Sequence, residues 1–317
     1  MRSPARNILI IKHGAFGDII QSEGAFRDIR ENHAGATITA LTAPAYAKIL
    51  ERCPWIDRVM IDPRPPRWRL GALRALRRKL RDQRFDIVYD LQNSSRTAFY
   101  YRWFLRGTPW SGTAPGCSHP HRAPNPKAIP SLERFAGQLR DAGLTVRHTL
   151  DPDVSWMADN VAPVLAEAGI AEPYIVLIPG SSARHPHKRW PHYADLARRL
   201  IADGFSVVTV PGPDEIELCR GLPATALPAR VVIDGNFLNW FQLAGVLKGA
   251  AFVVGNDTGP SHLAAHLGVP GLALFGSHTA AALTGIERPR FGVLEVDDLA
   301  ALGTARVHDA LRAALES

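Results

Sequence analysis

The sequence predicts an α/β protein built from two Rossmann-like domains, each a parallel sheet with crossover helices. Three observations carry this reading. Strand-like apolar runs alternate with helix-like runs almost throughout the chain, the pattern produced when parallel strands are joined by helices. At 317 residues the chain exceeds what one core supports, since single cores stop growing at roughly 250–300 residues. Each half also opens a helix from a polar, glycine-containing turn at the end of an apolar run: His13-Gly14-Ala15-Phe16-Gly17-Asp18 and Asn256-Asp257-Thr258-Gly259-Pro260. Loops at the carboxyl ends of strands are where open α/β sheets bind ligands.

In the first half, NILIIK at 7–12 reads as a buried strand and is followed by a helix over 19–31 whose Ile19, Ser22, Phe26 and Ile29 share one face. Strands follow at 37–41, 57–61 and 85–90, with helices at 44–51 and 70–83 and another after Ser94. The stretch 109–130 is rich in Pro, Gly, Ser and His without periodicity, which predicts a long surface loop of the kind that carries substrate recognition or is mobile. The pattern restarts after Asp151-Pro152-Asp153 with a helix near 157–168, placing the domains at 1–155 and 156–317. Strands of the second half fall at 174–178, 206–210, 231–233, 252–254 and 271–275, and helices at 191–203, 214–220, 238–249 and 260–267. A final helix after Asp297 is expected to pack back on the first domain.

Composition narrows the class. No apolar run approaches the roughly 20 residues of a membrane span, and the short ILII after Arg2 and Arg6 is too brief for a secretory signal core, so a cytoplasmic protein is expected. Cys53, Cys117 and Cys219 are widely separated, which indicates neither a disulfide framework nor a cysteine zinc site. The formal charge of +7 favours anionic partners. Much of it lies in 64–84, where nine Arg and Lys residues accompany Leu70, Leu73, Leu76 and Leu80 at helical spacing. That basic amphipathic helix has two readings: contact with an anionic partner or surface, or docking of its leucines on the sheet with solvated arginines. No zinc-finger spacing, RNP-like signature or helix-turn-helix is evident, so nucleic acid is not expected as a partner. No GxGxxG follows a strand, which speaks against a nicotinamide enzyme.

The turn at 256–260 has the chemistry of a phosphate site. A helix start presents free N–H groups and the positive end of the helix dipole. Pro260 suits the first helical position, and Gly259 lacks the Cβ that would hold a ligand off. A turn of this kind can also bind nothing; its pairing with the glycine-rich turn at Gly14 and Gly17 favours a bound diphosphate.

Three motifs together, Lys12-His13-Gly14-Ala15-Phe16-Gly17-Asp18, Pro179-Gly180-Ser181-Ser182 with Lys188-Arg189-Trp190-Pro191, and Asp257-Thr258-Gly259-Pro260-Ser261-His262, resemble glycosyltransferase family 9, the ADP-heptose:lipopolysaccharide heptosyltransferases. The resemblance implies the GT-B arrangement, two Rossmann-like domains facing a central cleft. It also implies inverting transfer from an ADP-sugar to a lipid-linked, anionic glycan of the lipopolysaccharide inner core, with neither metal nor cofactor.

On that resemblance Asp18 is the candidate general base for the acceptor hydroxyl, set against a simple interaction with its own helix N-terminus. Lys188, Ser181, Ser182 and the N–H groups of Thr258 and Gly259 are candidates for neutralising the leaving diphosphate, although a lone lysine is commonly solvated. Asp257 fits holding the turn or a sugar hydroxyl better than touching phosphate. Glu215 resembles a carboxylate that accepts ribose hydroxyls, and Leu238 an apolar neighbour of adenine or an ordinary core residue. His262 orients the Thr258 turn or simply packs. Asp151-Pro152-Asp153 spells a metal-diphosphate motif of another glycosyltransferase fold, but its central proline makes it a turn. The pairs His119/His121 and His185/His187 lack a third ligand at metal spacing. Competing functions are the same transfer to a protein or another glycan, a sugar-nucleotide epimerase, and a binding protein without turnover.

Overall fold

The structure is a computed structural model and describes residues 5–123, 125, 128–182, 185–228 and 237–316. The chain divides into two compact units, 1–152 and 153–317, three residues short of the boundary expected from the sequence.

In the first unit, Ile8 to Ile11 of β1 (Asn7–Ile11) are fully buried, as expected for a strand covered on both faces. It pairs in parallel with β2 (Thr37–Thr42) and β4 (Ile87–Asp90). Outside these lie β3 (Arg58–Ile61), β5 (Trp110–Gly112) and β6 (His119–Pro120), in the order β3-β2-β1-β4-β5-β6 with every ladder parallel. The crossovers hold α1 (Phe16–Gln21), α2 (Glu23–Asn32), α3 (Ala47–Arg52), α4 (Leu70–Asp82) and α5 (Ser95–Trp103), and α6 (Ser131–Asp141) follows the last strand.

Three expectations change here. The helix expected over 19–31 is two, meeting at Ser22, whose backbone N–H and hydroxyl both donate to the Asp18 carbonyl, at 3.1 and 2.6 Å. The loop expected over 109–130 contains β5 and β6; strands of two and three residues leave no alternation to read. Trp110 is nevertheless fully buried. In α4, Leu73, Leu76 and Leu80 join Leu9, Ile11 and Val88 in the core, while Leu70, at the first helical position, stays 59% exposed. The arginines of α4 face solvent.

The second unit repeats the plan. Its strands are β7 (Tyr174–Ile178), β8 (Ser206–Thr209), β9 (Thr225–Ala226), β10 (Phe252–Asn256), β11 (Gly271–Phe275) and β12 (Phe291–Glu295), ordered β12-β11-β10-β7-β8-β9. These too are parallel throughout. Its helices are α7 (Ala162–Glu167), α8 (Tyr193–Ala202), α9 (Ile216–Arg220), α10 (Trp240–Gly249), α11 (Gly259–His266) and α12 (Thr304–Leu315). The strand expected at 231–233 lies outside the described residues. Val307 and Leu311 of α12 are buried in this unit's own core with Leu196, Leu200, Leu272 and Leu274, where the sequence reading had the last helix packing back on the first domain. Their spacing marks an amphipathic helix and says nothing of which sheet receives it.

Counted within each unit, both sheets run 3-2-1-4-5-6, so strand order reverses between β1 and β4 and between β7 and β10. Crevices at the carboxyl ends of such strand pairs are the ligand sites of doubly wound sheets. Among the described residues no helix is long and apolar enough to cross a membrane.

Candidate active site

In the second unit the reversal point is organised by Asn256, the last residue of β10 and fully buried. Its amide nitrogen donates to the carbonyls of Pro179 at 2.9 Å and Gly180 at 3.1 Å. Its amide oxygen accepts from Trp190 N and Tyr193 Oη, both at 3.1 Å. One side chain thus ties the loop after β7 and the start of α8 to the end of β10. The sequence reading named Asn256 only as part of a turn; a polar residue closing an apolar strand at this point was the available signal.

Next to it, Lys188 Nζ donates to Asp257 Oδ2 at 2.5 Å. His262 Nε2 lies 3.6 Å from Asp257 Oδ1 and His278 Nε2 3.5 Å from Oδ2. The Asp257 side chain is only 8% exposed. Burial alone would raise its pKa, but hydrogen bonds from His262 and Lys188 and the Lys188 charge outweigh it and hold the carboxyl well below the usual carboxylate range. The structure therefore brings Lys188, Asp257 and His262 together and adds His278, which sequence reasoning missed because it stands three residues beyond a strand outside any recognised motif.

The loop after β7 is held from several sides. Ser181 is buried; its hydroxyl donates to His185 O at 2.9 Å and accepts from Arg189 Nε at 3.1 Å. Arg189 also donates to Ser181 O at 3.0 Å. The Ser181 hydroxyl is thus engaged within its own loop, while Ser182 is exposed. Glu215 lies against Gly180: a Cβ there would stand 1.8 Å from Glu215 Oε1, so only glycine admits the carboxylate. Glu215 Oε2 accepts from Gly212 N at 3.0 Å, and burial pushes this carboxyl up. Thr258 is the N-cap of α11 without a side-chain cap bond, with Gly259 and Pro260 forming the first turn. Ser261 Oγ donates to Asn256 O at 2.6 Å and fixes that turn from below. Leu238 is partly buried just ahead of α10 and has no polar link to this cluster.

The first unit presents the other reversal point. Asp18 Oδ2 accepts from Ala15 N at 2.9 Å, capping its own short helix, and Oδ1 stands 4.0 Å from Lys12 Nζ. The Asp18 side chain is 45% exposed, so the cap leaves one oxygen accessible. Lys12 is buried, donates to Leu91 O at 3.2 Å and lies over the Phe135 ring. Burial lowers its pKa, opposed by the charges of Asp18 and Asp90. Gly14 has φ +123°, and a Cβ there would meet the Tyr46 ring at 2.3 Å. Gly17 lies in the first turn of α1. Beneath the loop, His13 Nε2 bonds Asp62 Oδ2 at 2.9 Å, and Tyr100 Oη donates to the same oxygen at 2.7 Å.

Among the described residues, one group with ligating atoms close enough to hold a metal is Asp28, Glu31 and His148. Asp28 there already accepts from the backbone N–H groups of Arg147, His148 and Thr149 and from the Thr149 hydroxyl, which makes it a clamp on the chain rather than a ligand. Asp153 Oδ1 accepts from Ser155 N at 2.8 Å, an Asx turn.

Each unit thus presents polar side chains at its own reversal point, Lys188 and Asp257 in the second and Asp18 in the first. Residues 73–294 match the model of glycosyltransferase family 9 (heptosyltransferase). The chain belongs to glycosyltransferase family 9. It is a glycosyltransferase, and its architecture is GT-B: two parallel six-stranded sheets flanked by helices. It is 28% identical over 288 residues to lipopolysaccharide heptosyltransferase 2 of Escherichia coli K12, a match covering 85% of this chain and 82% of that protein. Lipopolysaccharide heptosyltransferase 1 of Pseudomonas aeruginosa is also 28% identical, over 85% of this chain and 78% of its own. The solved family 9 glycosyltransferase of Veillonella parvula superposes with a TM-score of 0.80 at 19% identity, covering 98% of both chains.

Proposed function

We propose that this glycosyltransferase moves a heptose from ADP-heptose to a lipopolysaccharide inner-core acceptor with inversion at the anomeric carbon. The observation that carries the donor half is the Lys188–Asp257 pair beside the start of α11, at the strand reversal of the second unit. Support for the sugar and the acceptor comes from the relatives, which are named as lipopolysaccharide heptosyltransferases. One solved Escherichia coli heptosyltransferase of the same fold holds ADP.

In this reading the diphosphate takes the Lys188 ammonium and the N–H groups of the Thr258–Gly259 turn, donors already placed where charge develops. Ser182 is exposed beside them, Glu215 accepts the ribose hydroxyls and Leu238 contacts adenine. Asp257 and His262 hold the turn. Asp18 takes the proton of the acceptor hydroxyl as its oxygen attacks the anomeric carbon. The bond from that carbon to the β-phosphate oxygen breaks as the new one forms, and its electron pair leaves with ADP. The cap bond from Ala15 N fixes the Asp18 carboxylate while leaving Oδ1 for the proton. The exposed arginines of α4, with Trp68 at 81% and Leu70 at 59% exposure, are the surface for an anionic, lipid-linked acceptor at the inner membrane face.

Incubation with ADP-heptose and a panel of inner-core, protein and other glycan acceptors, scored for ADP release, tests the reading. Asp18→Asn lowers turnover about 10²-fold or more with ADP affinity retained. Near-normal turnover in the variant removes Asp18 as base; ADP release with only a protein acceptor replaces the inner core as target.

A further inference from the structure

His278 is a half-buried imidazole that neither the motifs nor the proposed transfer uses. Its Nε2 is enclosed, lies 3.5 Å from Asp257 Oδ2 and has no well-formed hydrogen-bond partner. The same carboxylate oxygen receives Lys188 Nζ at 2.5 Å. Around the ring stand Lys188 and His187 from the turn ahead of α8, with His187 edge-on at 5.2 Å between centroids. Asp257 faces it from the end of β10, with His262 of α11 across the carboxylate. Phe275, at the end of β11, lies parallel to it.

Lys188 cannot serve two anions equally well. In the structure its short bond is to Asp257, which is nearly inaccessible to water. A diphosphate that draws the ammonium away leaves His262 on Oδ1 but strips Oδ2 of its short bond, a costly state for a buried carboxylate unless the His278 imidazole closes on that oxygen. His278 shares the oxygen that Lys188 vacates and needs to move only from 3.5 Å to bonding distance.

We propose that His278 takes over Asp257 when a nucleoside diphosphate engages Lys188, and that donor binding is thereby coupled to uptake of a proton by the His278 imidazole. The inference rests on the reading that Lys188 receives the diphosphate. Before binding, the surroundings favour the neutral ring: burial and the Lys188 charge both lower its proton affinity, with the Asp257 charge opposing. On binding, Lys188 turns to the phosphates and a second anion enters a pocket that held one ammonium against one carboxylate. Both changes favour imidazolium. His278 is a positioning residue in this scheme: it keeps Asp257 in place and charged so that the Thr258 turn does not shift as Lys188 moves.

Titration calorimetry of ADP against the whole protein near pH 7.5, repeated in buffers of different ionisation heat, counts the protons exchanged. The wild type takes up on the order of half to one proton more per ADP than His278→Gln, and its ADP affinity falls by up to about tenfold per pH unit above neutrality while that of the variant is flatter. Adenosine shows no such difference. Equal proton counts in wild type and variant overturn the proposal. If His278→Gln fails to bind adenosine, the imidazole 15N shifts of the wild type decide instead: a His278 that stays neutral at saturating ADP overturns it, and one that becomes charged supports it. Lys188→Ala separates this result from the donor reading. If that variant loses ADP and adenosine equally, the diphosphate assignment itself has failed; if it loses ADP selectively and no His278-dependent proton appears, only the coupling has.

Discussion

Replacing Asn256 with Leu tests whether one amide holds the donor half of the site together. Leucine has the same number and branching of side-chain heavy atoms, so the change removes the hydrogen bonds while keeping the outline of the side chain. Four buried groups lose their partner: the Pro179 and Gly180 carbonyls, Trp190 N and Tyr193 Oη. Each orphaned group costs roughly 1–3 kcal/mol when no water reaches it. Trp190 and Tyr193 are each 2% exposed, so these two donors carry most of the loss, and the sum is about 3–5 kcal/mol once partial relaxation of the carbonyls is allowed. For a unit of this size that lowers the thermal midpoint by about 10 °C. Because the same amide tethers the loop after β7, ADP affinity falls with stability, by roughly tenfold for one lost tether of about 1.4 kcal/mol. Asn256→Asp is at least as disruptive at neutral pH, because it turns a second acceptor toward two carbonyls. Differential scanning calorimetry with ADP titration of the folded variant is the assay. A midpoint within about 2 °C of wild type, or unchanged ADP affinity in Asn256→Leu, refutes the argument.

Lys188→Ala weakens ADP by about 1.5–3 kcal/mol and leaves adenosine nearly unaffected; equal losses, measured by calorimetry, point to a folding defect instead. Replacing Arg74, Arg77, Arg78 and Arg81 with Gln, all exposed on α4, reduces binding to anionic liposomes at low salt and raises KM for a lipid acceptor while ADP affinity stays constant. Unchanged liposome binding and acceptor kinetics would make these arginines merely solvated. Burial pushes the Asp90 carboxyl from 3.8 up to about 6, with hydrogen bonds from Thr97, Asn93 and Gln92 opposing. Folded Asp90 therefore holds its proton more tightly than unfolded, so its stabilising contribution is complete below about pH 4 and is lost as pH rises through 6. Urea unfolding across this window should show a flatter pH dependence in Asp90→Asn, and an identical slope would contradict the assignment.

The parallel sheets were legible because buried crossover strands such as β1, β7 and β11 are continuous apolar runs bounded by turn residues, a local signal. β5, β6 and β12 were not. The first two are only three and two residues long, and β12, FGVLE, is an edge strand with little of its surface buried. The junction at Ser22 keeps helical backbone angles and its bond to Asp18 O, so no periodicity records it. The destination of α12 was missed because an apolar stripe names no partner. In the site, Lys188, Asp257 and His262 were legible as motif residues, but their mutual pairing was not, since it joins positions 69 residues apart. The sequence reading offered the Ser181 hydroxyl to phosphate; the structure uses it inside the loop. Asn256 and His278 act through distant neighbours and carry no local mark.

The three leucines that seat α4 on its sheet leave every other position of that helix without a packing duty. Selection can therefore rewrite the outward face of α4 residue by residue, changing its charge and reach, without altering the sheet beneath or the order in which it folds. On the acceptor role proposed above for this face, a lineage whose surface glycans change would need to edit only its residues to follow them. Among relatives, then, the core positions Leu73, Leu76 and Leu80 should vary slowly, and Arg74, Arg77, Arg78 and Arg81 should drift with the host's own envelope chemistry.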